Sequence, residues 1–260
     1  MVFIDDATST ITGLHFAKTE CLNSYYETLK IHLKNYGIPL GFYGDRCSVL
    51  VPRNPVEKNG TQFKKALEEL HCELILAYSP QAKGRVERAN RILQDRLIKH
   101  MRLKGISSIE EGNKILEDYR KRHNQLFSKK PSEQRNVHRS LDGICIDQVL
   151  CTREIRTLSK DNVLQHHNTF FQIYSQNKKL HLFKGAKIEI RETLDGKTIA
   201  SYKNNALQMK PLSEVKTPIL NEKEIIEWKS KSQYIPPKTH PLKREYLNKK
   251  IKEDMMEYVI

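Results

Sequence analysis

An α/β fold class follows from three features of the sequence. Over the first hundred or so residues, apolar runs and amphipathic periods alternate in the order strand, strand, helix, strand, helix, strand, helix. Beyond about residue 150 the texture changes to short β-type runs closed by turn residues. The composition, 38% hydrophobic with 29% charged side chains, supplies a core and excludes both a disordered polymer and a membrane-embedded one. With 260 residues the chain has room for one large or two modest domains.

Each element has a local reason. Residues 1–4 are apolar and lead through Asp5, Asp6 and a Thr/Ser cluster to an alternating run at 11–17, which predicts a hairpin turning at 6–10. Asn23 or Ser24 offers a helix cap, and Tyr25, Leu29, Leu33 and Tyr36 then fall on one helical face that Gly37 and Pro39 end. A short strand is expected at 40–43, a loop at 51–60 with its two prolines and Gly60, a helix at 61–70 and a strand at 73–78. After a turn at 79–81, a helix over 84–103 lines up Val86, Ala89, Leu93, Leu97 and Met101. A further helix is predicted at 108–127, capped by Ser107 or Ser108.

Five β-type runs follow, at 154–158, 169–174, 186–192, 198–203 and 206–209, with Asp195-Gly196 as a hairpin turn. They predict a small β-barrel domain at 150–212 after a first domain at 1–140, with a basic, partly flexible tail over 213–260.

The formal net charge is +14 and is concentrated: residues 81–139 hold 16 basic against 7 acidic side chains. Such a local excess points to a polyanionic partner, with a merely basic surface as the bland alternative. Five cysteines without a Cys-x-x-Cys pair fit reduced thiols. No apolar run reaches the length of a bilayer span and residues 1–4 lack the features of a signal peptide, so a soluble, cytoplasmic location is expected.

The usual catalytic motifs are missing from the sequence. Gly196-Lys197-Thr198 resembles the end of a phosphate-binding loop, but Arg191 stands where its first glycine belongs, and a turn is the better reading. His166-His167 and the Cys145/Cys151 pair lack metal-site spacing and read as structural or surface residues. Carboxylates remain. Asp45 should stand at the end of a strand, where open α/β sheets place their ligands, and Glu87 in the first turn of a helix. Together they could offer oxygen atoms to a hard cation, although a turn Asp and a helix-start Glu are also ordinary residues at such places.

Three segments carry a resemblance. Ile4-Asp5-Asp6-Ala7-Thr8-Ser9, Tyr43-Gly44-Asp45-Arg46 and above all the block from Tyr78 to Asn90, with Pro80-Gln81, Gly84, Glu87 and Asn90 in order, look like the core of the DDE transposases and retroviral-type integrases. The likeness is nearest to bacterial insertion-sequence transposases of the ISNCY type, and covers residues 1–140 strongly and 150–212 more loosely.

What the resemblance implies is an RNase H-like core whose three carboxylates hold two Mg2+ or Mn2+ ions, with Asp45 as the second and Glu87 as the third. The first belongs on a strand ahead of residues 1–4, so the expectation is an amino-terminally truncated core lacking its first strand. Asp5 or Asp6 could substitute, against the plainer role of shaping a turn. The implied activity is metal-dependent phosphodiester cleavage and strand transfer in DNA transposition, by a homo-oligomer on DNA. The alternative is a non-catalytic DNA-binding remnant. DNA contact is expected from Lys83, Arg85, Arg88, Arg91, Lys99 and Arg102 on the 84–103 helix and its approach, with Arg120, Lys121, Arg122, Lys129 and Lys130 as a second basic group.

Overall fold

The computed structural model describes residues 1–52, 60–77, 84–175, 178–203 and 205–214. The turn expected at 79–81, most of the loop at 51–60, Lys83 and the tail beyond 214 lie outside them. The chain divides into two units, Met1–Leu212 and Ser213–Ile260, and the description below concerns the first.

Strands β1 (Val2–Ile4) and β2 (Ile11–Leu14) form the expected antiparallel hairpin, with Val2 opposite Leu14 and Ile4 opposite Ile11. The Asp5 carboxylate accepts the Thr8 backbone N–H at 2.8 Å, closing the turn locally. Helix α1 (Leu22–Tyr36) begins slightly before its expected cap. Cys21 is the N-cap, and its backbone N–H donates to Ser24 Oγ at 3.1 Å, so Ser24 works from inside the first turn. Gly37, with φ of 90°, ends the helix where the sequence placed the stop.

Strands β3 (Gly41–Gly44) and β4 (Glu73–Leu76) are parallel neighbours, and α2 (Gln62–Glu69) lies in the crossover between them. Thr61 caps α2 by accepting the Lys64 N–H. Helices α3 (Gly84–Leu103) and α4 (Ile109–Phe127) follow, the latter capped by Ser108.

Two apolar clusters place helices on both sides of the hairpin. On one side Phe3 joins Tyr26, Leu29 and Leu33 of α1 and Phe63 and Leu67 of α2, with Phe42 edge-on to both Phe3 and Phe63. On the other, Ile11 and Leu14 meet Leu93 and Leu97 of α3 and Leu116 of α4. All four residues of β2 are therefore buried. Two α4 side chains on one face of that helix close the outer edge at the start of β2 and the stretch just past its end. Asn124 bonds both the N–H and the C=O of Ile11 at 2.9 Å, and Asn113 does the same for Phe16 at 2.8 and 3.0 Å.

After a short helix α5 (Ile146–Val149) come β5 (Cys151–Thr157), β6 (Val163–His166), β7 (Thr169–Ser175), β8 (Lys178–Lys179), β9 (Lys187–Thr193), β10 (Thr198–Tyr202) and β11 (Asn205–Pro211). They form an antiparallel sheet in the order β5-β9-β10-β11-β7-β6, with β8 on β7, curled as a half-barrel around Leu164, Ile173, Ile188, Ile190 and Ala200. The predicted turn stands: Gly196 has φ of 75° and donates to the Thr193 carbonyl at 2.9 Å. Elements α5, β6 and β8 were not foreseen. Polar bonds join α5 and this sheet to α1 and α2: Lys30 pairs with Asp147 of α5 at 2.7 Å, Tyr26 donates to the Cys151 carbonyl, and the Gln62 amide bonds both backbone groups of Arg153. Among the described residues, no helix is long and apolar enough to cross a membrane.

Candidate functional site

Strand β1 is paired with β2 and β3 with β4, so the first part holds two separate strand pairs. A cleft of about 580 Å3 lies between them. Ile4, Asp5 and Asp6 line one wall, Tyr43, Gly44 and Asp45 the other, and Val86 and Asn90 of α3 also border it. Tyr25, Leu29 and His32 of α1 contribute as well. The approach of Leu50 to β3 depends on Gly44, where a Cβ would stand 2.3 Å from Leu50 Cδ1.

Asp45 follows β3 directly, as expected, and its Oδ1 accepts the Cys47 backbone N–H at 3.1 Å. Asp5 is engaged by Thr8, and the exposed Asp6 pairs with Arg85 Nη1 at 2.9 Å. Glu87 is exposed in the first turn of α3, beside Val86 but not itself on the cleft wall. The structure thus brings Asp5, Asp6 and Asp45 to one cleft and Glu87 to the helix at its rim. Among the described residues, the one trio of His, Cys or carboxylate donors lying mutually within 4.8 Å is elsewhere, at His166, His167 and Glu192.

His32 is the cleft residue that sequence reasoning passed over. It is 7% exposed, and burial, with His138 and Arg120 adding to it, pushes its pKa down to about 4. Its Nε2 has no hydrogen-bond partner among the described residues. The signal was present in the spacing of positions 25, 29, 32 and 36, which places His32 on the buried face of α1.

Helix α3 carries most of its basic side chains away from the core. Ala89, Leu93 and Leu97 are buried, while Arg88, Arg91 and Arg102 are exposed. Arg85 pairs with Asp6, Lys99 with Asp95, and Arg96 lies 5.0 Å over the Phe127 ring. One member of the second basic group requires correction. Arg120 is buried with 3% exposure, because Glu117, the Ile11 carbonyl and the Tyr36 hydroxyl take its guanidinium hydrogens. It is a core residue, whereas Lys121, Arg122, Lys129 and Lys130 are exposed.

No family model matches the chain. Two bacterial proteins do. A Sinorhizobium fredii protein named as a transposase, y4bF, is 37% identical over 213 residues, 80% of this chain and 46% of its own length. The transposase for insertion sequence IS1202 of Streptococcus pneumoniae is 30% identical over 276 aligned positions, 98% of this chain and 57% of its own length. The chain therefore spans about half the length of the relatives it matches, and identity of this extent over so much of its length places it among the relatives of bacterial insertion-sequence transposases.

Proposed function

We propose that the chain carries part of the catalytic region of a DDE-type transposase, acting on DNA. The observation that carries the reading is the cleft itself. Asp45 stands at the carboxyl end of β3 on one wall, Asp5 and Asp6 on the other, and the cationic helix α3 begins beside them with Glu87 in its first turn. Homology to named transposases supplies the reaction class. The RNase H-like core is part of the same proposal, supported by the antiparallel β1–β2 hairpin followed by the parallel β3–β4 pair with α2 in its crossover.

The donor set suits hard divalent cations, being carboxylate oxygens only, and Asp45 and Glu87 are the residues assigned to hold them, with Asp5 or Asp6 as candidates for a third. Mg2+ or Mn2+ bound there would activate a water or a DNA 3'-hydroxyl and steady the leaving oxygen. The chain's own contribution is positional. Arg88 and Arg91 face solvent from the turns of α3 adjacent to Glu87, within reach of phosphates flanking a scissile bond, and such contacts set affinity rather than sequence choice. Arg85, through Asp6, ties the helix start to the β1–β2 turn and so fixes where that cationic face meets the cleft.

Mn2+ binding followed by water-proton relaxation tests the site without requiring turnover. Asp45→Asn and Glu87→Gln should each weaken it at least tenfold and abolish strand transfer, with DNA affinity kept within about twofold. Unchanged Mn2+ affinity in both variants would remove the assignment. Loss of DNA binding alongside intact metal binding would instead separate the helix from the site.

A further inference from the structure

The half-barrel holds a second place where donor atoms converge, remote in sequence from the carboxylate cleft and independent of its chemistry. Adjacent residues on a strand normally point to opposite faces. His166 and His167 do not, because the β6–β7 hairpin turns on His167 and Asn168, both in the left-handed region with φ of 44° and 60°. The reversal brings the two imidazoles side by side, with ring centres 4.0 Å apart and the planes tilted by 49°. Glu192 of β9 reaches them from across the sheet, its Oε2 lying 3.1 Å from His167 Nε2. Donor atoms of His166, His167 and Glu192 all lie within 4.8 Å of one another.

His166 is what distinguishes this trio from a surface ion pair. It is 5% exposed, and among the described residues neither of its ring nitrogens has a hydrogen-bond partner. A buried polar group left unmatched costs on the order of 1 to 3 kcal/mol, so an imidazole held in this way calls for a partner that the protein side chains do not supply. Its Nδ1 sits 3.3 Å from Glu154 Oε2 on β5 without the alignment of a hydrogen bond. That carboxylate stands where it could orient the ring while the other nitrogen binds elsewhere, as the outer partners of metal-bound histidines do.

We propose that His166, His167 and Glu192 form a binding site for a transition-metal dication, Zn2+ being the best match. Two imidazoles and one carboxylate are a recognised zinc donor set, with water in the fourth position on the exposed side of His167. Imidazole nitrogen disfavours Mg2+ and Ca2+, which separates the site from the oxygen-only cleft. Ligand atoms around Zn2+ stand roughly 3.3 Å apart, given bond lengths of about 2.0–2.1 Å, so donor atoms within 4.8 Å of one another would have to draw in by at most about 1.5 Å, a shift left to the exposed His167 and the half-exposed Glu192. The bound ion would staple the β6–β7 turn to β9 and, through Glu154, bring β5 and β6, the two ends of the sheet path, to one point.

The whole chain, stripped with EDTA and exchanged into metal-free buffer, should take up one equivalent of Zn2+ by calorimetry at micromolar affinity or better, with a rise in Tm of several degrees that Mg2+ does not reproduce. Co2+ in its place should give the intense visible bands of a four-coordinate site. His167→Gln, an exposed change that leaves the core intact, should weaken Zn2+ binding at least tenfold and remove the Tm rise, as should Glu192→Gln, while His181→Gln should do neither. Equal Zn2+ affinity in wild type and His167→Gln, as capture by the exposed Cys21 and Cys145 would give, overturns the proposal. So does the absence of any Zn2+ uptake.

Discussion

Arg120 of α4 reaches across the β1–β2 hairpin to Tyr36 at the end of α1, with its guanidinium carbon 5.4 Å from the ring centre and one nitrogen donating to the phenol oxygen at 2.5 Å. The same group donates twice to Glu117 and once to the Ile11 carbonyl. A single buried cation thus joins two helices and a strand. Arg120→Met should lower stability by about 1–3 kcal/mol in urea unfolding, since it leaves the buried Ile11 carbonyl and the half-buried Glu117 and Tyr36 groups without their partner. Lys121→Met, on the exposed face, should change it by less than about 0.5 kcal/mol. Equal effects would place Arg120 at the surface after all.

His32 predicts an acid-sensitive fold. Its folded pKa, near 4, lies below the ordinary histidine value, so the unfolded chain binds the proton more tightly and acid favours unfolding. The stability contribution is complete above about pH 6.5 and is lost progressively toward pH 4, by at most on the order of 3 kcal/mol. The half-buried His15 and the buried His123 are lowered in the same direction. Comparison with His32→Phe isolates the share of His32: the wild type should lose more stability between about pH 7 and pH 4.5 than the variant. Parallel pH profiles would contradict this.

Gly13 lets β2 lie close against α1 at Thr28. A Cβ there would stand 2.8 Å from both Cγ2 and the backbone oxygen of Thr28, and the helix backbone cannot yield as a flexible side chain would. Gly13→Ala should destabilise by about 1–3 kcal/mol by overpacking, read as a lower thermal midpoint. Gly143→Ala, with open space around the same atom but φ of 76°, should show only the smaller cost of backbone strain.

On the proposed reading of α3 as a DNA-contacting helix, affinity for DNA should fall with salt in a way that counts its phosphate contacts. Replacing Arg88 and Arg91 together by Ala should reduce the slope of log K against log salt by about 1.8, at about 0.9 for each lost phosphate contact on duplex DNA, without changing preference among sequences. An unaltered slope would assign those side chains to solvent.

Much of the fold was legible because local signals agreed. The 84–103 helix carried its apolar stripe in order, and the stops at Gly37 and Gly196 depend on backbone conformations that glycine adopts without cost. Strands β6 and β8 were illegible for opposite reasons. Val163–His166 ends in Gln165 and His166, and the burial of His166 arises only when the sheet closes on itself, while Lys178–Lys179 carries no pattern at all. The burial of Arg120 was hidden in a run of three basic residues, where only packing distinguishes the one that turns inward. Asp45 could be placed at its strand end from a four-residue apolar run. The convergence of His166 and His167 with Glu192 could not be foreseen, since it rests on a left-handed turn and on a strand 25 residues further along the chain.

Gln62 meets both the N–H and the C=O of Arg153, at 2.9 and 2.8 Å, much as Asn124 meets Ile11 of β2 and Asn113 meets Phe16 beyond it. A side-chain amide has the same donor and acceptor as a peptide group, but it cannot propagate a ladder. Three amides of this kind leave the flank of β5, and that of β2 and the residues just after it, with fewer free groups to recruit a neighbouring molecule into a shared sheet.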